Sequence, residues 1–172
     1  MSIRLVPAML EVCLELDAVA KEQHLMEYNS LSFSEEDPLG AWLKRARAKG
    51  ETKNTDEVLL NLLVHLHRKI DVLSEAVSGV KREFKSLAMS AIINEVGFEY
   101  VGFGDEILSV DEKYYMRFEL PVFPKRQIAM YLKACDKRVA KIELMHDDDV
   151  SDWDGFVASK EREMIRMIKN GG

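Results

Sequence analysis

The middle of the chain carries an apolar residue at every third or fourth position through four heptads. The steps alternate between four and three residues, which is the spacing of the a and d positions of a coiled coil. The nine positions are Leu59, Leu63, Leu66, Ile70, Leu73, Val77, Val80, Phe84 and Leu87. Such a stripe is buried only when a second copy or another long helix lies beside it. The pattern predicts a long heptad-repeat helix over residues 55–90 that mediates oligomerisation.

The residues of this stripe leave two oligomeric states open. β-branched residues at a, such as Ile70 and Val77, with Leu at most d positions favour a dimer. The flanking g residues Leu62 and Ala76 are apolar or small, so they widen the stripe until one helix can contact two neighbours. We therefore expect a tetramer, with a dimer as the alternative. Burial of the stripe by upstream helices of the same monomer is less favoured, because the long helix would span about 50 Å.

Residues 1–54 are expected to form a helical N-terminal segment. Leu10, Leu14 and Val19 recur at largely helical spacing, which predicts a helix over residues 7–27. The pair Asp37-Pro38 has the form of an N-cap followed by proline at the first helical position, which predicts a second, shorter helix that ends at Ala48.

After residue 90 the apolar period changes from seven to two. Short alternating segments separated by Gly, Asp, Pro or charged residues predict five antiparallel strands, which suggest a small barrel or sandwich. These segments are residues 92–93, 98–101, 115–120, 127–132 and 139–144. An amphipathic helix over residues 152–170 is expected to close the domain. The fold class is therefore α+β, with a small antiparallel β-barrel, a C-terminal helix and a long coiled-coil helix.

The order of these elements over residues 91–172 resembles a PilZ domain, a small six-stranded barrel with a closing helix that binds cyclic di-GMP in many bacteria. The resemblance lies in a strand ending at Gly97, the strand Tyr114–Pro121, the strand Gln127–Leu132, the segment Ala140–Leu144 and the helix around Lys160–Ile165.

Ligand-binding PilZ domains carry an RxxxR loop and a [D/N]xSxxG segment, and the chain departs from both. The segment Ile92–Gly97 keeps Gly97 and a polar Asn94, but Ile92 replaces the acidic or amide residue. The segment Lys81–Lys85 has lysines where the arginines should be, and Lys lacks the planar fork that clamps a phosphate. The candidate ligand-binding residues are Lys81, Arg82, Lys85, Asn94, Gly97 and Arg117.

These departures resemble a non-canonical PilZ subgroup that assembles through long helices inserted into the fold and acts in bacterial motility, pilus or virulence control. The resemblance implies a four-helix tetramer and a first barrel strand within residues 1–6. We therefore expect a self-assembling adaptor with an unidentified protein partner and weak or no cyclic di-GMP binding. The alternative is a cyclic di-GMP receptor with a non-standard site.

The composition of the chain argues against two further kinds of partner, nucleic acid polymers and membranes. The chain has 24 Lys and Arg against 30 Asp and Glu, and its net charge of −6 argues against binding a nucleic acid polymer. No apolar stretch is long enough to insert into a membrane, and acidic residues near the start interrupt a signal-peptide pattern. We expect a cytoplasmic protein.

No catalytic motif, metal site or cofactor site is predicted. Cys13 and Cys135 stand apart from any second Cys or His and are expected to be buried thiols. His65 and His67 would point about 200° apart on a helix, so they cannot share a metal. The segment His146–Asp149 is interpreted as an acidic loop before the last helix.

One surface is predicted for contact with the partner. It combines the basic residues Arg117, Lys125 and Arg126 with exposed Tyr114 and Tyr115, around the turn at residues 121–124.

Overall fold

The structure is a computed structural model that describes residues 3–31, 38–78, 84–121 and 127–171. The chain divides into two compact units. Residues 1–31 and 84–172 form the first unit, and residues 32–83 form the second.

The first unit is built around a closed barrel of six antiparallel strands in the order β1-β2-β3-β6-β5-β4. Strand β1 closes the barrel, because Val12 pairs with Ala91 of β2 on one side and with Phe118 of β4 on the other. The strands are β1 (Val6–Leu16), β2 (Met89–Val96), β3 (Tyr100–Phe103), β4 (Lys113–Glu119), β5 (Gln127–Ala134) and β6 (Val139–Met145). The predicted α+β class and small antiparallel barrel are confirmed.

The prediction of a helix over residues 7–27 is wrong for its first half. Val6–Leu16 is the longest strand of the barrel, a single 3-10 turn follows at Asp17–Val19, and helix α1 begins only at Lys21 and ends at Ser30. A separation of four residues, as between Leu10 and Leu14, fits a helical turn and also two steps of strand alternation. The first barrel strand does precede the helices, but it starts at Val6 instead of lying within residues 1–6.

Alternation along the strands fills the barrel interior with apolar side chains. Leu10, Val12 and Leu14 of β1 point inward and are almost fully buried, together with Ile93 of β2 and Leu132 of β5. The five strands predicted after residue 90 are present within a few residues of their expected positions. Their mostly alternating apolar residues and turn-forming boundaries explain why this half of the chain was predictable.

Helix α4 (Asp147–Asn170) packs on the barrel and contributes Trp153, Phe156 and Val157 to its core. It starts five residues before the predicted Asp152, so Asp147 and Asp148 lie in its first turn instead of in a preceding loop. Carboxylates at that end interact favourably with the helix dipole. Trp153 is almost fully buried, lies edge-on to Phe118 at 5.8 Å between ring centroids, and donates its indole N–H to the Gly97 carbonyl at 3.1 Å.

The second unit contains helices α2 (Pro38–Ala48) and α3 (Glu57–Ser78). Helix α2 confirms the predicted short helix, whose proposed cap Asp37 lies outside the described residues. Helix α3 starts near the predicted position, with Asp56 accepting the Val58 N–H at 2.8 Å, but it ends at Ser78. It spans about 33 Å instead of about 50 Å.

The prediction of one helix over residues 55–90 is therefore wrong at its C-terminal end. Phe84 and Leu87 belong to an irregular segment that precedes β2, and they contact the outside of the barrel. Val80 lies outside the described residues. Apolar spacing alone could not separate these residues from the helix, because they remain partly buried in a different environment.

Replacing Trp153 tests how α4 is attached to the barrel. We expect Trp153→Phe to lower the free energy of unfolding by about 1–2 kcal/mol, because the Gly97 carbonyl loses its donor. Trp153→Ala should cost about 3–5 kcal/mol through the cavity it leaves. Urea denaturation measures both, and Ile168→Ala on the exposed part of the same helix is the matched control. Equal stability of all three variants would contradict this attachment.

Candidate functional site

A buried polar cluster lies between α1 and the outward faces of β1 and β4. We call it the polar clamp. Its members come from four chain segments, which are the end of β1 with the 3-10 turn after it, α1, the segment before β2, and β4. They are Glu15, Asp17, His24, Glu27, Lys85, Tyr115 and Arg117.

His24 is the centre of the clamp and is fully buried. Its Nε2 lies 2.7 Å from Glu15 Oε2, and its Nδ1 lies 3.0 Å from Asp17 Oδ1. Ionised carboxylates only accept hydrogen bonds, and a neutral imidazole has a single N–H. A doubly protonated ring would donate to both partners, whereas a neutral ring would donate to one of them. The ring also stacks on Tyr115, with 4.8 Å between centroids.

Glu27 of α1 is the second residue at which several hydrogen bonds of the clamp converge. One of its oxygens accepts the Tyr115 hydroxyl at 2.5 Å, and the Arg117 guanidinium donates to both oxygens at 2.9 and 3.0 Å. The backbone N–H of Lys85 also donates to Glu27, at 2.9 Å. Charge-assisted bonds of this kind are among the stronger hydrogen bonds in proteins. Glu27 therefore connects α1, β4 and the segment that leads into β2.

Lys85 completes the clamp by placing its ammonium 2.5 Å from Glu15 Oε2. The clamp then contains three carboxylates, two permanent cations and His24. Two of its three negative charges are balanced by Lys85 and Arg117. A buried cluster with largely balanced charges and mutual hydrogen bonds avoids most of the penalty of an isolated buried charge.

The environment shifts the acidity of three clamp or neighbouring groups. Burial alone would raise the pKa of Glu15, but the hydrogen bonds from Lys85 and His24 and their charges lower it below its ordinary 4.5. Burial, reinforced by Glu27, raises the pKa of Tyr115, so its hydroxyl stays a donor. Burial and the nearby carboxylates raise the pKa of Tyr131 to about 12.

The contacts of this cluster connect separate parts of the fold to one another. Each of its charged side chains is engaged with another member, and no member combines a nucleophile with an open approach for a substrate. Among the described residues, no group of three or more His, Cys, Asp or Glu is placed to hold a metal ion. The clamp holds α1 and residues 84–87 against the barrel wall, where Tyr28, Tyr115 and Tyr131 pack.

The predicted ligand residues are divided between two regions. Lys85 and Arg117 come together at Glu27 and are engaged in the clamp. Asn94 lies near the end of β2, and its side chain contacts Gly104. Gly97 follows β2, where a Cβ would lie 2.5 Å from the Arg4 carbonyl oxygen, so close packing requires glycine there. Lys81 and Arg82 lie outside the described residues.

The predicted partner-contact surface is wrong in its aromatic part. Tyr114 is buried inside the barrel, where its hydroxyl accepts the Ser109 N–H at 2.9 Å, and Tyr115 is fully buried beneath α1. Successive residues of a strand face opposite sides, and here both sides are covered. Lys125 and Arg126 lie outside the described residues.

The remaining predicted positions have simple surroundings. Cys135 is exposed and Cys13 is half-buried, so the expectation of two buried thiols is wrong. Cys13 points outward from β1, and Cys135 lies in the turn after β5. His67 lies 3.2 Å from Asp71 on the same face of α3. His146 donates from Nε2 to the Tyr28 carbonyl and stacks on the Tyr28 ring.

The heptad positions of α3 form an exposed apolar face. Six of the nine predicted positions lie on this helix, and between 36% and 79% of each side chain's reference area is exposed. They are Leu59, Leu63, Leu66, Ile70, Leu73 and Val77. The g residue Leu62 is exposed beside them, whereas the e residue Leu60 is buried. We call the six positions the α3 stripe.

Sequence reasoning missed the polar clamp. Glu15 and Asp17 were placed on a helix, and nothing local marks His24 or Glu27 as partners of residues in β4. The one available signal was the pair of carboxylates two positions apart, which would share one face of an extended chain; in the structure Glu15 ends β1 and Asp17 begins the 3-10 turn.

Comparison of this chain with models of known protein families, with curated proteins and with solved structures found no match. Of the helices in the described ranges, none has the length and apolar character needed to cross a membrane.

Acid unfolding tests the clamp through Glu15. Its pKa is lowered in the folded state, so its contribution is complete above the ordinary 4.5 and is lost as the pH falls through the folded value. We expect Glu15→Gln to lower the free energy of unfolding at pH 7 by about 2 kcal/mol, because Lys85 and His24 lose an anionic partner. The loss should shrink below pH 4.5, as urea denaturation over a pH series would show.

The matched control for that experiment is Glu11→Gln, an exposed carboxylate on the same strand. An equal and pH-independent effect of the two substitutions would show that Glu15 contributes no clamp energy.

Proposed function

We propose that this chain is a self-assembling, non-canonical PilZ-like adaptor whose copies associate through α3, with a role in bacterial motility, pilus or virulence signalling. The observation that carries the proposal is the α3 stripe, an unbroken a/d pattern over the whole of α3 whose side chains are exposed. Full burial of one Leu or Ile side chain is worth about 1.5–3 kcal/mol. Six such positions per helix provide a strong driving force for association.

The occupant of the stripe is best explained as a second copy of α3. An a/d stripe packs well against another a/d stripe, because each a or d side chain inserts between four side chains of a facing helix that has the same repeat. Leu62 widens the stripe on the g side, which supports the tetramer over the dimer.

The PilZ-like part of the proposal is supported by the architecture. The barrel has six strands and a closing C-terminal helix, and α1, α2 and α3 all fall between its first and second strands. This matches the insertion that the resemblance implies. The adaptor function is further supported by the candidate ligand residues Lys85 and Arg117, because their charges already neutralise Glu15 and Glu27.

Charge substitution in the stripe tests assembly. We expect Ile70→Asp with Leu73→Asp to abolish association, because each buried unpaired carboxylate costs several kcal/mol. Light scattering on the full chain should give a multiple of 19.7 kDa for the wild type and a single chain mass for the variant. Asn61→Asp with His65→Asp, on the opposite face of α3, is the matched control. A monomeric wild type at micromolar concentration would refute assembly.

Calorimetric titration with cyclic di-GMP separates the adaptor from the receptor alternative. We expect no binding at micromolar concentration, because the nucleotide would have to displace Glu15 and Glu27 from Lys85 and Arg117. Micromolar binding that is lost in Lys85→Ala and Arg117→Ala would establish the receptor function instead. Thermal melting of both variants checks that the barrel stays folded.

A further inference from the structure

Three lysines stand in one row across the outside of the barrel. Lys113 of β4 pairs with Lys133 of β5, and Lys133 pairs with Lys141 of β6. Directly opposed residues of neighbouring strands project to the same face, so the three ammonium groups share one strip of surface. All three side chains are exposed. With strands about 4.8 Å apart, the row spans about 10 Å.

This row lies beside a groove between the start of α1 and the outer faces of β5 and β6. Lys21 of α1 faces the groove from one side, and Lys113 and Lys141 face it from the other. Leu25 of α1 and Leu144 of β6 also line it. We call this feature the lysine groove.

The charges of the lysine groove are only partly neutralised. Glu143 lies 3.0 Å from Lys113, and Asp17 at the groove edge is already bonded to His24. Within the part of the chain that the structure describes, Lys21, Lys133 and Lys141 form no ion pair. Like charges placed directly opposite each other destabilise a sheet, so this row is a cost to the fold that an anionic ligand would remove.

The groove also has an apolar component. Leu25 is 50% exposed and Leu144 is 48% exposed, and Tyr131 supplies the ring between them and the barrel. A shift of register between Tyr131 and Leu132 places Leu144 opposite Tyr131, on the outer face. Phosphate groups would use the lysines but would leave these two leucines in water.

We propose that the lysine groove binds an extended segment of a partner protein in which acidic and aliphatic side chains occupy every second position, so that both kinds project from the same face of the segment. In an extended chain, side chains two residues apart point the same way and are separated by about 7 Å. Two such carboxylates fit within the lysine row, and an aliphatic side chain two residues further along the same face can contact Leu25 and Leu144. The net charge of −6 on the whole chain makes this local excess of lysine a selective feature instead of a general one.

The proposal concerns the barrel unit and does not depend on assembly through α3. The variant Ile70→Asp with Leu73→Asp should therefore bind the segment as well per chain as the wild type does. Loss of assembly and loss of binding can be scored separately.

Fluorescence anisotropy tests the groove with a labelled peptide that carries Glu, Glu and Leu in turn at every second position and Ser at the positions between them, added to the full chain at low salt. We expect saturable binding that weakens at least tenfold in Lys133→Glu with Lys141→Glu. Leu25→Ala with Leu144→Ala should also weaken it severalfold. Lys137→Glu with Lys169→Glu makes the same charge change elsewhere on the surface and should retain most of the affinity.

Two further probes distinguish recognition of acidic and aliphatic side chains from nonspecific binding of anions. The same peptide with Ser in place of each Leu should bind more weakly, and inorganic triphosphate should not displace the Leu-containing peptide at equal charge concentration. Displacement by triphosphate, or equal binding of the two peptides, would show a nonspecific anion surface and overturn the proposal. Absence of binding up to millimolar peptide, or equal loss in the control pair, would overturn it as well.

Discussion

The contact of His24 with Glu15 and Asp17 determines how the outside of the barrel is organised. Three carboxylates meet Lys85, Arg117 and His24 at one place with little exposure to water, and each charged group needs its partners, because a buried charge without a counter-ion costs several kcal/mol. The clamp therefore admits few alternative arrangements. It fixes α1 over the aromatic wall formed by Tyr115 and Tyr131, and it fixes residues 84–87 where the chain returns to the barrel.

The two units differ in how completely they bury their apolar surface. The barrel has a continuous apolar interior to which side chains from β1 to α4 contribute. Helix α3 leaves one apolar side chain exposed at nearly every turn. Large contiguous apolar patches are uncommon on soluble monomers and mark sites of association. This contrast is the physical reason to place assembly on α3 and to look for partner recognition on the barrel.

Secondary structure was predicted correctly where the apolar residues fit a single period. It was predicted incorrectly where they fit a helical and a strand period equally well. The strands after residue 90 are short, mostly alternating and bounded by turn-forming residues, so they fit strands better than helices. In β1, Leu10 and Leu14 satisfy both a strand and a helix, and only pairing with β2 and β4 decides between them. Phe84 and Leu87 continue the heptad spacing but pack on the barrel. The clamp was beyond sequence reasoning, because Glu27 and Arg117 are 90 residues apart and meet only after the barrel closes.

The lysine groove is a second feature that could not be predicted from the sequence. Lys113, Lys133 and Lys141 are separated by turns, and in sequence each looks like an ordinary surface residue. Strand register places them side by side, where their mutual repulsion opposes folding. The clamp shows that this chain can neutralise closely spaced charges within its own fold, as it does for Lys85 and Arg117. Folding therefore explains the cations of the clamp but gives no role to Lys133 and Lys141, and an acidic partner segment supplies one.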